Sequence, residues 1–421
     1  MARFNALYAQ SGGVTAVINA TASAVIQTAR QHPDQIGKIF AARNGIVGVL
    51  TEDLIDTGPE SDETILALQH TPAGAFGSCR YKISEEKNRP ACERLIDVFA
   101  AHDIHYFFYN GGGDSQDTAH KISQLSESMG YPVTCIGIPK TIDNDLPVTD
   151  CSPGYGSAAK YVAVSIMEAG MDVASMSATS TKVFILEVMG RHSGWLAAAG
   201  GLAARQEGDA PHIILFPEIP FSEEAFLKKT QQCVKKHGYC AVVVSEGLRN
   251  PDGSFVSESG LQDAFGHKQL GGVATVIAGL VREKLKFRNH WAVSDYLQRS
   301  ARHIASKTDL EQAIAVGKKA VELALSGKNA WMPVIVRDSD SPYRWHIGET
   351  ALENVANREV GLPRDYITEE GFGITEKCRK RLLPLIAGEA YPPYQNGLPS
   401  YVRLKNTPVQ KKLAKSFEVF S

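Results

Sequence analysis

Short apolar runs alternate with longer amphipathic segments along this chain, a pattern typical of β-strands and α-helices around a mainly parallel sheet. Residues 4–9 are predicted to form a buried strand, and residues 15–31 carry apolar side chains at helical spacing. The same order returns in the apolar runs 104–109 and 133–138, followed by a helix rich in small residues at 157–174. The pattern predicts an α/β fold.

A second block with the same alternation begins near Lys182, where the run VFILEVMG predicts a strand. Further strands are expected at residues 212–216 and 241–245. A helix is expected at 310–325, just after Thr308, a residue type that favours a helix start. The length of 421 residues also suggests two or three domains.

The composition narrows the class of protein. Hydrophobic residues make up 43% of the chain and charged residues 21%, which excludes a disordered chain or a fibrous repeat. Lys plus Arg is 44 and Asp plus Glu is 46, a near-balance that argues against a dedicated nucleic-acid binder. No run approaches the ~20 apolar residues that span a bilayer. Glycine, at 37 residues, is more frequent than usual, and the positions of several glycines point to function.

The cysteines and the N-terminal sequence indicate in which cellular compartment the protein is expected. The seven cysteines are odd in number and never spaced CxxC, which favours free thiols in a reducing compartment over disulfides or a zinc site. The start MARFNALYAQSGG lacks the small-residue cleavage pattern of a signal peptide. We therefore expect a soluble cytoplasmic protein without membrane or nucleic-acid partners.

Three loops that follow predicted strands are rich in glycine or charge: residues 11–13, 111–115 and 139–145. In an open α/β sheet such loops gather at the carboxyl edge of the strands, where ligands bind. Glycine allows the backbone to approach an anion closely, and a following helix N-terminus attracts negative charge. The first loop, SGG, is neither GxGxxG nor GxxxxGK[ST], so nicotinamide and P-loop nucleotide sites lose support.

The loop PKTIDND, residues 139–145, is the most specific of the three. In an extended segment alternate side chains share a face, which would bring Thr141, Asp143 and Asp145 together beside Lys140. Paired carboxylates near a cation suit phosphoryl transfer, in which one accepts a hydroxyl proton and another holds Mg²⁺. An Asx-rich turn that only reverses the chain is the alternative, and this loop alone leaves both open.

Seven ordered segments between about residues 5 and 325 resemble the 6-phosphofructokinase family: SGG, FGSCR, GGGDS, PKTIDND, PGYGSAAKY, VMGR and YLQRS. The resemblance implies two Rossmann-like α/β/α domains with mainly parallel sheets and an active site in the interdomain cleft. The domain that binds the donor is expected to comprise residues 1–155 plus about 298–345. The domain that binds the sugar phosphate is expected to comprise residues 156–297 plus about 346–421.

The resemblance also implies roles for individual residues. Asp143 is expected to act as general base on the sugar 1-hydroxyl, with Lys140 and Asp114 as further catalytic groups. Mg²⁺ is the expected cofactor, held by Asp114 and Asp145. The residues expected to contact the phosphates of the donor are Gly12, Arg80, Gly112, Asp114 and Lys140.

A further set is implied for the sugar phosphate: Thr141, Ile142, Asp143, Met189, Gly190, Arg191, Glu246, Tyr296, Gln298 and Arg299. Tyr296 and Arg299 are expected to hold the 6-phosphate, since a guanidinium donates two parallel hydrogen bonds. Lys182 stands where the family often has arginine and is expected to reach a neighbouring subunit's site. A homodimer or homotetramer is expected, because members of this family often complete their sites across subunits.

Two positions bear on the phosphoryl donor. ATP-using members of the family resemble GGDGS and PGTIDND, with glycine where this chain has Asp114 and Lys140. An aspartate would fill the space needed by the α-phosphate of a nucleotide, and the lysine would supply positive charge to the transferring group. Both residues match the pyrophosphate-dependent branch. The expected reaction therefore converts diphosphate and fructose 6-phosphate reversibly into fructose 1,6-bisphosphate and phosphate.

One position departs from the family pattern, because Gly113 stands where a metal-binding aspartate is common. Asp114 or Asp145 is expected to take over that role, directly or through water, since Mg²⁺ commonly keeps several waters. Three alternatives are an ATP-dependent phosphofructokinase, a catalytically silent regulatory subunit that senses sugar phosphates, and a GGDG-type NAD or lipid kinase. The last explains one glycine loop but not PKTIDND, VMGR and YLQRS.

Overall fold

The computed structural model describes residues 3–83, 88–262 and 268–419. Its strands form one sheet of seven, one sheet of four and two short hairpins. The strands are β1 Phe4–Gln10, β2 Ile36–Ala42, β3 Leu54–Asp56, β4 Ile104–Gly111, β5 Thr134–Pro139, β6 Val183–Val188, β7 Ile213–Leu215, β8 Cys240–Ser245, β9 Glu258–Gln262, β10 Lys268–Leu270, β11 Asn289–Val293, β12 Trp331–Asp340, β13 Tyr343–Ala351, β14 Tyr394–Gln395 and β15 Leu398–Pro399.

The seven-stranded sheet is parallel in its centre and antiparallel at its edges. Its order is β13-β12-β5-β4-β1-β2-β3, and the edge strands β3 and β13 run against their neighbours. Along β1 the side chains alternate between faces, because Ala6 and Tyr8 join one apolar core and Leu7 and Ala9 join another. Burial on both faces explains why residues 4–9 are almost continuously apolar.

The four-stranded sheet is parallel throughout, with the order β11-β6-β8-β7. Leu186 and Val188 of β6 face the same core as Ala6 and Tyr8 of β1. The alternate residue Ile185 faces a separate core on the far side of the sheet. One apolar core therefore extends between the two sheets and holds them together.

Twelve α-helices are found in the described ranges: α1 Ile18–Arg30, α2 Ile46–Leu50, α3 Asp62–Ala67, α4 Arg89–Ala101, α5 Gly113–Ser128, α6 Tyr155–Met176, α7 Trp195–Gly200, α8 Glu223–His237, α9 Val273–Leu280, α10 Leu297–Ser300, α11 Lys307–Leu325 and α12 Glu376–Leu382. Helices α1, α6, α7 and α11 supply side chains to the core between the sheets. Helices α4 and α5 cover the outer face of the larger sheet, and α8 and α9 that of the smaller. None of these helices is long and apolar enough to cross a membrane.

Helix α6 shows how the chain fixes a helix beside the PKTIDND loop. Gly154 precedes it with φ +110°, a conformation that favours glycine, and pairs with Thr141 in an isolated parallel bridge. The buried carboxylate of Asp309 accepts hydrogen bonds from the N–H groups of Gly154 at 2.8 Å and Ser157 at 2.9 Å. A side chain from α11 thus satisfies donors at the first turn of α6, whose N-terminus follows the loop.

These elements confirm the predicted α/β class with mainly parallel sheets. The strands expected at residues 4–9, 104–109 and 133–138 are β1, β4 and β5, with ends that differ by a residue or two. Strand β13 spans Tyr343–Ala351 and pairs with β12 along its length, so the expected division at about residue 345 falls inside a strand. The division into domains stays a prediction.

Residues 408–413, near the C-terminus, lie against the larger sheet, although the expected division placed residues 346–421 with the second domain. Pro408 pairs with Ile55 of β3 in an isolated antiparallel bridge. The buried carboxylate of Glu52 accepts hydrogen bonds from the backbone N–H groups of Lys412 and Leu413 and lies 2.7 Å from His102 Nε2. Residues 412 and 413 are therefore anchored to the body of the protein at Glu52.

Candidate active site

Loops at the carboxyl ends of β1, β4, β5 and β6 meet between the two sheets. Together with a C-terminal segment around residue 358 they line a cavity of about 890 Å³. The structure therefore brings together most of the residues expected from the sequence: Gly12, Arg80, Gly112, Asp114, Lys140, Thr141, Ile142, Asp143, Asp145, Met189, Arg191, Glu246, Tyr296 and Arg299.

The SGG loop after β1 is held against the FGSCR segment. Gly12 has φ +73°, and its N–H donates to the carbonyl oxygen of Cys79 at 2.9 Å. Ser78 Oγ donates to the carbonyl oxygen of Gly12 at 2.7 Å. These two bonds place Arg80, the next residue, on the rim of the cavity beside the glycine loop.

Lys140 is buried at the floor of the cavity, with 3% of its surface exposed. Its Nζ donates to the carbonyl oxygens of Ser11 at 2.8 Å and Gly13 at 2.5 Å. Burial lowers the pKa of Lys140 to about 7, and the positive charges of Arg299 and Arg80 act in the same direction. A negatively charged ligand would restore the protonated form, so this lysine is suited to an anion.

The GGGDS loop after β4 opens helix α5, whose N-terminus faces the cavity. Gly112 is its N-cap, and no side chain within the described ranges caps it. Backbone N–H groups of a first helical turn and the helix dipole together favour an anion at this position. The carboxylate of Asp114 lies on the same rim, 2.9 Å from Lys82 Nζ.

Three carboxyl groups of the cavity have raised pKa values. Burial raises the pKa of Asp145 to about 7, and the negative charges of Asp143 and Glu359 add to the effect. Burial also raises the pKa of Glu246 to about 7, again with a contribution from Asp143. The pKa of Asp143 is raised by burial, although Lys140 opposes the change. A carboxyl group with a raised pKa is suited to accept a proton as a general base.

The backbone of the PKTIDND loop positions these carboxyl groups. Thr141 Oγ1 accepts a hydrogen bond from the N–H of Asp143 at 3.0 Å. Asn144, with φ +53°, accepts one from the N–H of Ser152 at 3.0 Å through its Oδ1. The loop is therefore a hydroxyl- and Asx-supported turn that also forms a wall of the cavity.

The loop after β6 forms the opposite wall. Gly190 has φ +133°, and its N–H lies 3.3 Å from Glu246 Oε1. Gln298 Oε1 accepts a hydrogen bond from the N–H of Met189 at 3.3 Å. Tyr296 is 61% exposed, and the guanidinium of Arg299 stacks over its ring at 3.7 Å.

Arg299 reaches further than its expected role requires. A Cβ atom on Gly13 would lie 2.6 Å from Arg299 Nη1, so the guanidinium is packed against the SGG loop of the other sheet. The absence of a side chain at residue 13 is what allows this approach. Arg299 therefore extends across the cavity and adds its charge to the surroundings of Lys140.

Comparison with known proteins shows to which family a chain with this cavity belongs. The phosphofructokinase family profile matches residues 5–324, well over half of the chain. This chain belongs to the phosphofructokinase family. The expected family is confirmed over nearly the same residues as the seven ordered segments.

Individual phosphofructokinases match the chain from end to end. A pyrophosphate--fructose 6-phosphate 1-phosphotransferase of Methylococcus capsulatus is 64% identical over 420 residues, 100% of both chains. One of Halomonas elongata is 63% identical over 414 residues, 98% of this chain and 99% of that protein. The crystal structure of pyrophosphate-dependent phosphofructokinase from Marinobacter aquaeolei superposes with a TM-score of 0.91 at 62% identity, covering 99% of this chain and 100% of that one.

Three expected site residues do not line the cavity. Gly190 and Gln298 lie directly behind it, and each supports a lining residue through the contacts already described. Lys182 directly precedes β6 and Met189 directly follows it, so the strand separates the two residues by about 20 Å. The ammonium of Lys182 donates a hydrogen bond to the carbonyl oxygen of Ser177. Its expected role in a neighbouring subunit's site stays a prediction.

Several lining residues were not expected from the sequence. Asn357, Arg358 and Glu359 enter the cavity from a segment beyond residues 5–324, the part that matches the phosphofructokinase family. This segment has no glycine loop, and a short turn at Leu352–Asn354 separates it from β13, so no sequence signal marked it. Asp295 also lines the cavity. Because it directly precedes the YLQRS segment, its position in the sequence could have identified it as a site residue.

The lining residues fit a magnesium ion that is shared with a phosphate-bearing substrate. Asp145 Oδ1 is buried and has no hydrogen-bond partner among the described residues. No group of three or more His, Cys, Asp or Glu side chains in those ranges is arranged to hold a metal ion alone. Mg²⁺ is often bound by one or two carboxylates plus substrate phosphates, which is what this cavity offers.

Proposed function

We propose that this chain transfers a phosphoryl group from diphosphate to the 1-hydroxyl of D-fructose 6-phosphate, reversibly giving fructose 1,6-bisphosphate and phosphate. Relatives that are 58–64% identical over nearly their whole length carry the name of this reaction. The observation that carries the proposal is Lys140, whose ammonium lies buried against the SGG loop at the donor end of the cavity. ATP-using members of the family are expected to have glycine at that position.

Diphosphate is favoured as donor because both distinguishing side chains face the cavity. Lys140 supplies a positive charge at its floor, and Asp114 places a carboxylate at the N-terminus of α5. A negative charge at that point repels a third phosphate group and takes up space that a nucleotide would need. Diphosphate has no third phosphate group and is shorter than a nucleotide, so it avoids both this repulsion and the lack of space.

Asp143 is the residue proposed to start the reaction. Its carboxylate accepts the proton of the sugar 1-hydroxyl, and the oxygen of that hydroxyl attacks the nearer phosphorus atom of diphosphate. The bond between this phosphorus and the bridging oxygen breaks, and the second phosphate leaves with the bridging oxygen. Lys140 and Arg80, which line the donor end of the cavity, balance the negative charge of the transferring group.

The sugar phosphate is proposed to bind on the wall formed by the smaller sheet. Arg191 and Arg299 provide guanidinium groups for its phosphate, and Glu246 accepts hydrogen bonds from its hydroxyl groups. Met189 and Tyr296 provide apolar contact. Thr141 and Ile142 approach the sugar from the larger sheet, next to Asp143.

Mg²⁺ is proposed as the cofactor, with Asp145 and Asp114 as the residues that hold it. When bound, it neutralises diphosphate oxygens and so favours approach of the sugar oxygen. Asp145 is supported by its unpartnered buried oxygen within the described ranges, and Asp114 by its place on the same cavity. Such an ion would keep several waters, as Mg²⁺ commonly does.

A homodimer or homotetramer in the cytoplasm is the proposed setting. Lys182 is remote from the cavity of its own chain, which supports a role in a second subunit. β11 is an edge strand of its sheet, and its exposed Trp291 and Val293 offer apolar surface for contact. All seven cysteines are free thiols, in keeping with a reducing compartment.

The donor assignment is tested by supplying purified protein with Mg²⁺ and fructose 6-phosphate, and offering diphosphate and ATP in separate reactions. We expect turnover with diphosphate and little or none with ATP. Faster turnover with ATP would contradict the donor assignment. Tight sugar-phosphate binding without turnover from either donor would instead support a regulatory subunit.

A double variant tests the reason for the preference. Asp114→Gly combined with Lys140→Gly should reduce diphosphate turnover by about 10²- to 10³-fold, since it removes a charge aimed at the transferring group. The matched control is Lys38→Ala with Asp56→Ala, an exposed pair at 3.2 Å outside the cavity. Unchanged diphosphate turnover in the first variant would show that these side chains do not select the donor.

A further inference from the structure

Residues 357–362 cross the mouth of the cavity and are tied to both sheets. Asn357 Nδ2 donates to Asp117 Oδ1 of α5 at 2.8 Å, and the N–H of Val360 donates to the carbonyl oxygen of Asp145 at 2.8 Å. On the other side, the N–H of Leu362 donates to Glu218 Oε1 at 3.0 Å. We refer to residues 357–362 as the crossing segment.

The two bonds to the larger sheet determine where Arg358 lies. It stands between Asn357, fixed to the second turn of α5, and Val360, fixed to the PKTIDND loop. Its carbonyl oxygen would be 3.9 Å from a Cβ atom on Gly113, the first residue of α5. Arg358 is therefore placed over the N-terminus of α5, at the donor end of the cavity.

The side chain of Arg358 is exposed and lines the cavity. Its guanidinium makes no hydrogen bond or ion pair with any residue in the described ranges, so its donors are available to a ligand. The N-terminus of α5, whose first N–H groups belong to the GGGDS loop, lies beside it and also favours an anion. A guanidinium is suited to phosphate because its fork matches two oxygens at once.

We propose that Arg358 binds diphosphate through the phosphate that leaves, and binds the same phosphate as a substrate in the reverse reaction. The proposal rests on the proposed function. The transferring phosphoryl group must lie near Asp143, which takes the sugar proton, and near Lys140 on the floor. The leaving phosphate then lies further along the GGGDS loop, where Arg358 and the N-terminus of α5 converge.

The neighbouring residue Glu359 is the less suitable ligand for this substrate. Its carboxylate also lines the cavity, and its charge contributes to the raised pKa of Asp143 and Asp145. A carboxylate repels diphosphate unless a cation lies between them. Attraction to the donor from the crossing segment therefore comes from Arg358.

The test compares Arg358→Ala, Arg358→Lys and wild type in both directions of the reaction. For Arg358→Ala we expect KM to rise about 10- to 100-fold for diphosphate and for orthophosphate, the size of a lost charged hydrogen-bond pair. KM for fructose 6-phosphate and for fructose 1,6-bisphosphate should stay within about twofold of wild type. Arg358→Lys should recover part of the loss, because it keeps the charge without the fork.

The matched control is Arg344→Ala, which removes an exposed arginine of β13 outside the cavity and should leave all four KM values unchanged. Calorimetric titration of each protein with orthophosphate gives a readout that does not depend on turnover. An increase of KM for fructose 1,6-bisphosphate instead of orthophosphate would place Arg358 on the transferred group and overturn the proposal. Unchanged values for all substrates would overturn it as well.

The two proposals fail in different ways. If wild type does not use diphosphate, the proposed function is wrong whatever the variants do. If wild type uses diphosphate and Arg358→Ala matches Arg344→Ala, only the role of Arg358 is wrong.

Discussion

The two walls of the cavity differ in how their charged side chains are held. At the donor end, Lys140 is 3% exposed, and its ammonium is fixed by the carbonyl oxygens of two glycine-loop residues. On the sugar wall, Tyr296 is 61% exposed and the guanidinium of Arg299 rests on its ring. The donor end is thus built into the floor of the larger sheet, whereas the sugar wall presents side chains at its surface.

This difference teaches where folding and substrate binding depend on the same residues. A buried ammonium that satisfies backbone carbonyls contributes to the stability of the folded chain as well as to the site. An exposed tyrosine and its stacked arginine contribute little to folding. Substitutions at the donor end should therefore affect both activity and stability, and substitutions on the sugar wall should affect activity alone.

The largest effect is expected at the point where the walls meet. Asp143→Asn keeps the size of the side chain but removes the general base, so kcat should fall about 10²- to 10⁴-fold. Binding of fructose 6-phosphate, measured by calorimetry, should change little. Asp53→Asn, outside the cavity, is the control. A kcat within tenfold of wild type would mean that another group accepts the proton.

Lys140→Ala should produce the next largest effect and should reveal the double role of the donor end. We expect kcat/KM for diphosphate to fall about 10²- to 10³-fold, because a charge aimed at the transferring group is lost. The melting temperature should also fall, since the carbonyl oxygens of Ser11 and Gly13 lose their partner at a cost of about 1–3 kcal/mol. An unchanged melting temperature would show that Lys140 contributes to activity but not to the stability of the folded chain.

Arg299→Ala is the matching change on the sugar wall. KM for fructose 6-phosphate should rise about 10- to 100-fold, and the melting temperature should stay within about 1 °C of wild type. Because Arg299 also packs against Gly13, KM for diphosphate reports whether the arginine serves both substrates. A large rise for diphosphate alone would reassign Arg299 to the donor end.

The smallest expected effect concerns pH. The pKa of Lys140 is lowered to about 7, and only the protonated form attracts diphosphate, so kcat/KM for diphosphate should fall as pH rises through about 7 in the free enzyme. Asp143 must be deprotonated and has a raised pKa, so activity should also fall towards acid. The profile, corrected for ionisation of diphosphate, should therefore be bell-shaped.

The neighbour of Lys140 sharpens this prediction. Arg299 lowers the pKa of Lys140 by repulsion, so Arg299→Ala should move the alkaline limb of the profile to higher pH. Lys140→Arg should remove that limb, because a guanidinium stays protonated throughout. A limb that persists in Lys140→Arg would belong to another group.

Much of the fold and site followed from the sequence because parallel sheets obey a simple rule. Apolar strands of one parallel sheet that end in SGG, GGGDS and PKTIDND had to bring these loops to one edge. The structure places these loops around one cavity with VMGR, which follows a strand of the smaller sheet. The local pattern also identified Asp143 and Lys140 as neighbours. Alternation along a strand and glycine in a loop are local properties, so one sequence reveals them.

The crossing segment could not be predicted, because long-range bonds alone determine its place. Asn357 and Asp117 are far apart in the chain, and neither belongs to a recognisable motif. The same holds for the reach of Arg299 to Gly13, which depends on how the two sheets face each other. Side chains brought in by tertiary contacts leave no periodic signal in the sequence.

The fixed ammonium of Lys140 has a consequence for inhibitor design. An ammonium has three N–H bonds, and two of them are used by the carbonyl oxygens of Ser11 and Gly13. One bond remains for a ligand, directed at a terminal oxygen of the donor. A bisphosphonate, in which carbon replaces the bridging oxygen, keeps those terminal oxygens and lacks the bond that breaks. Such a compound should compete with diphosphate here and bind less well to an enzyme that has glycine in place of this lysine.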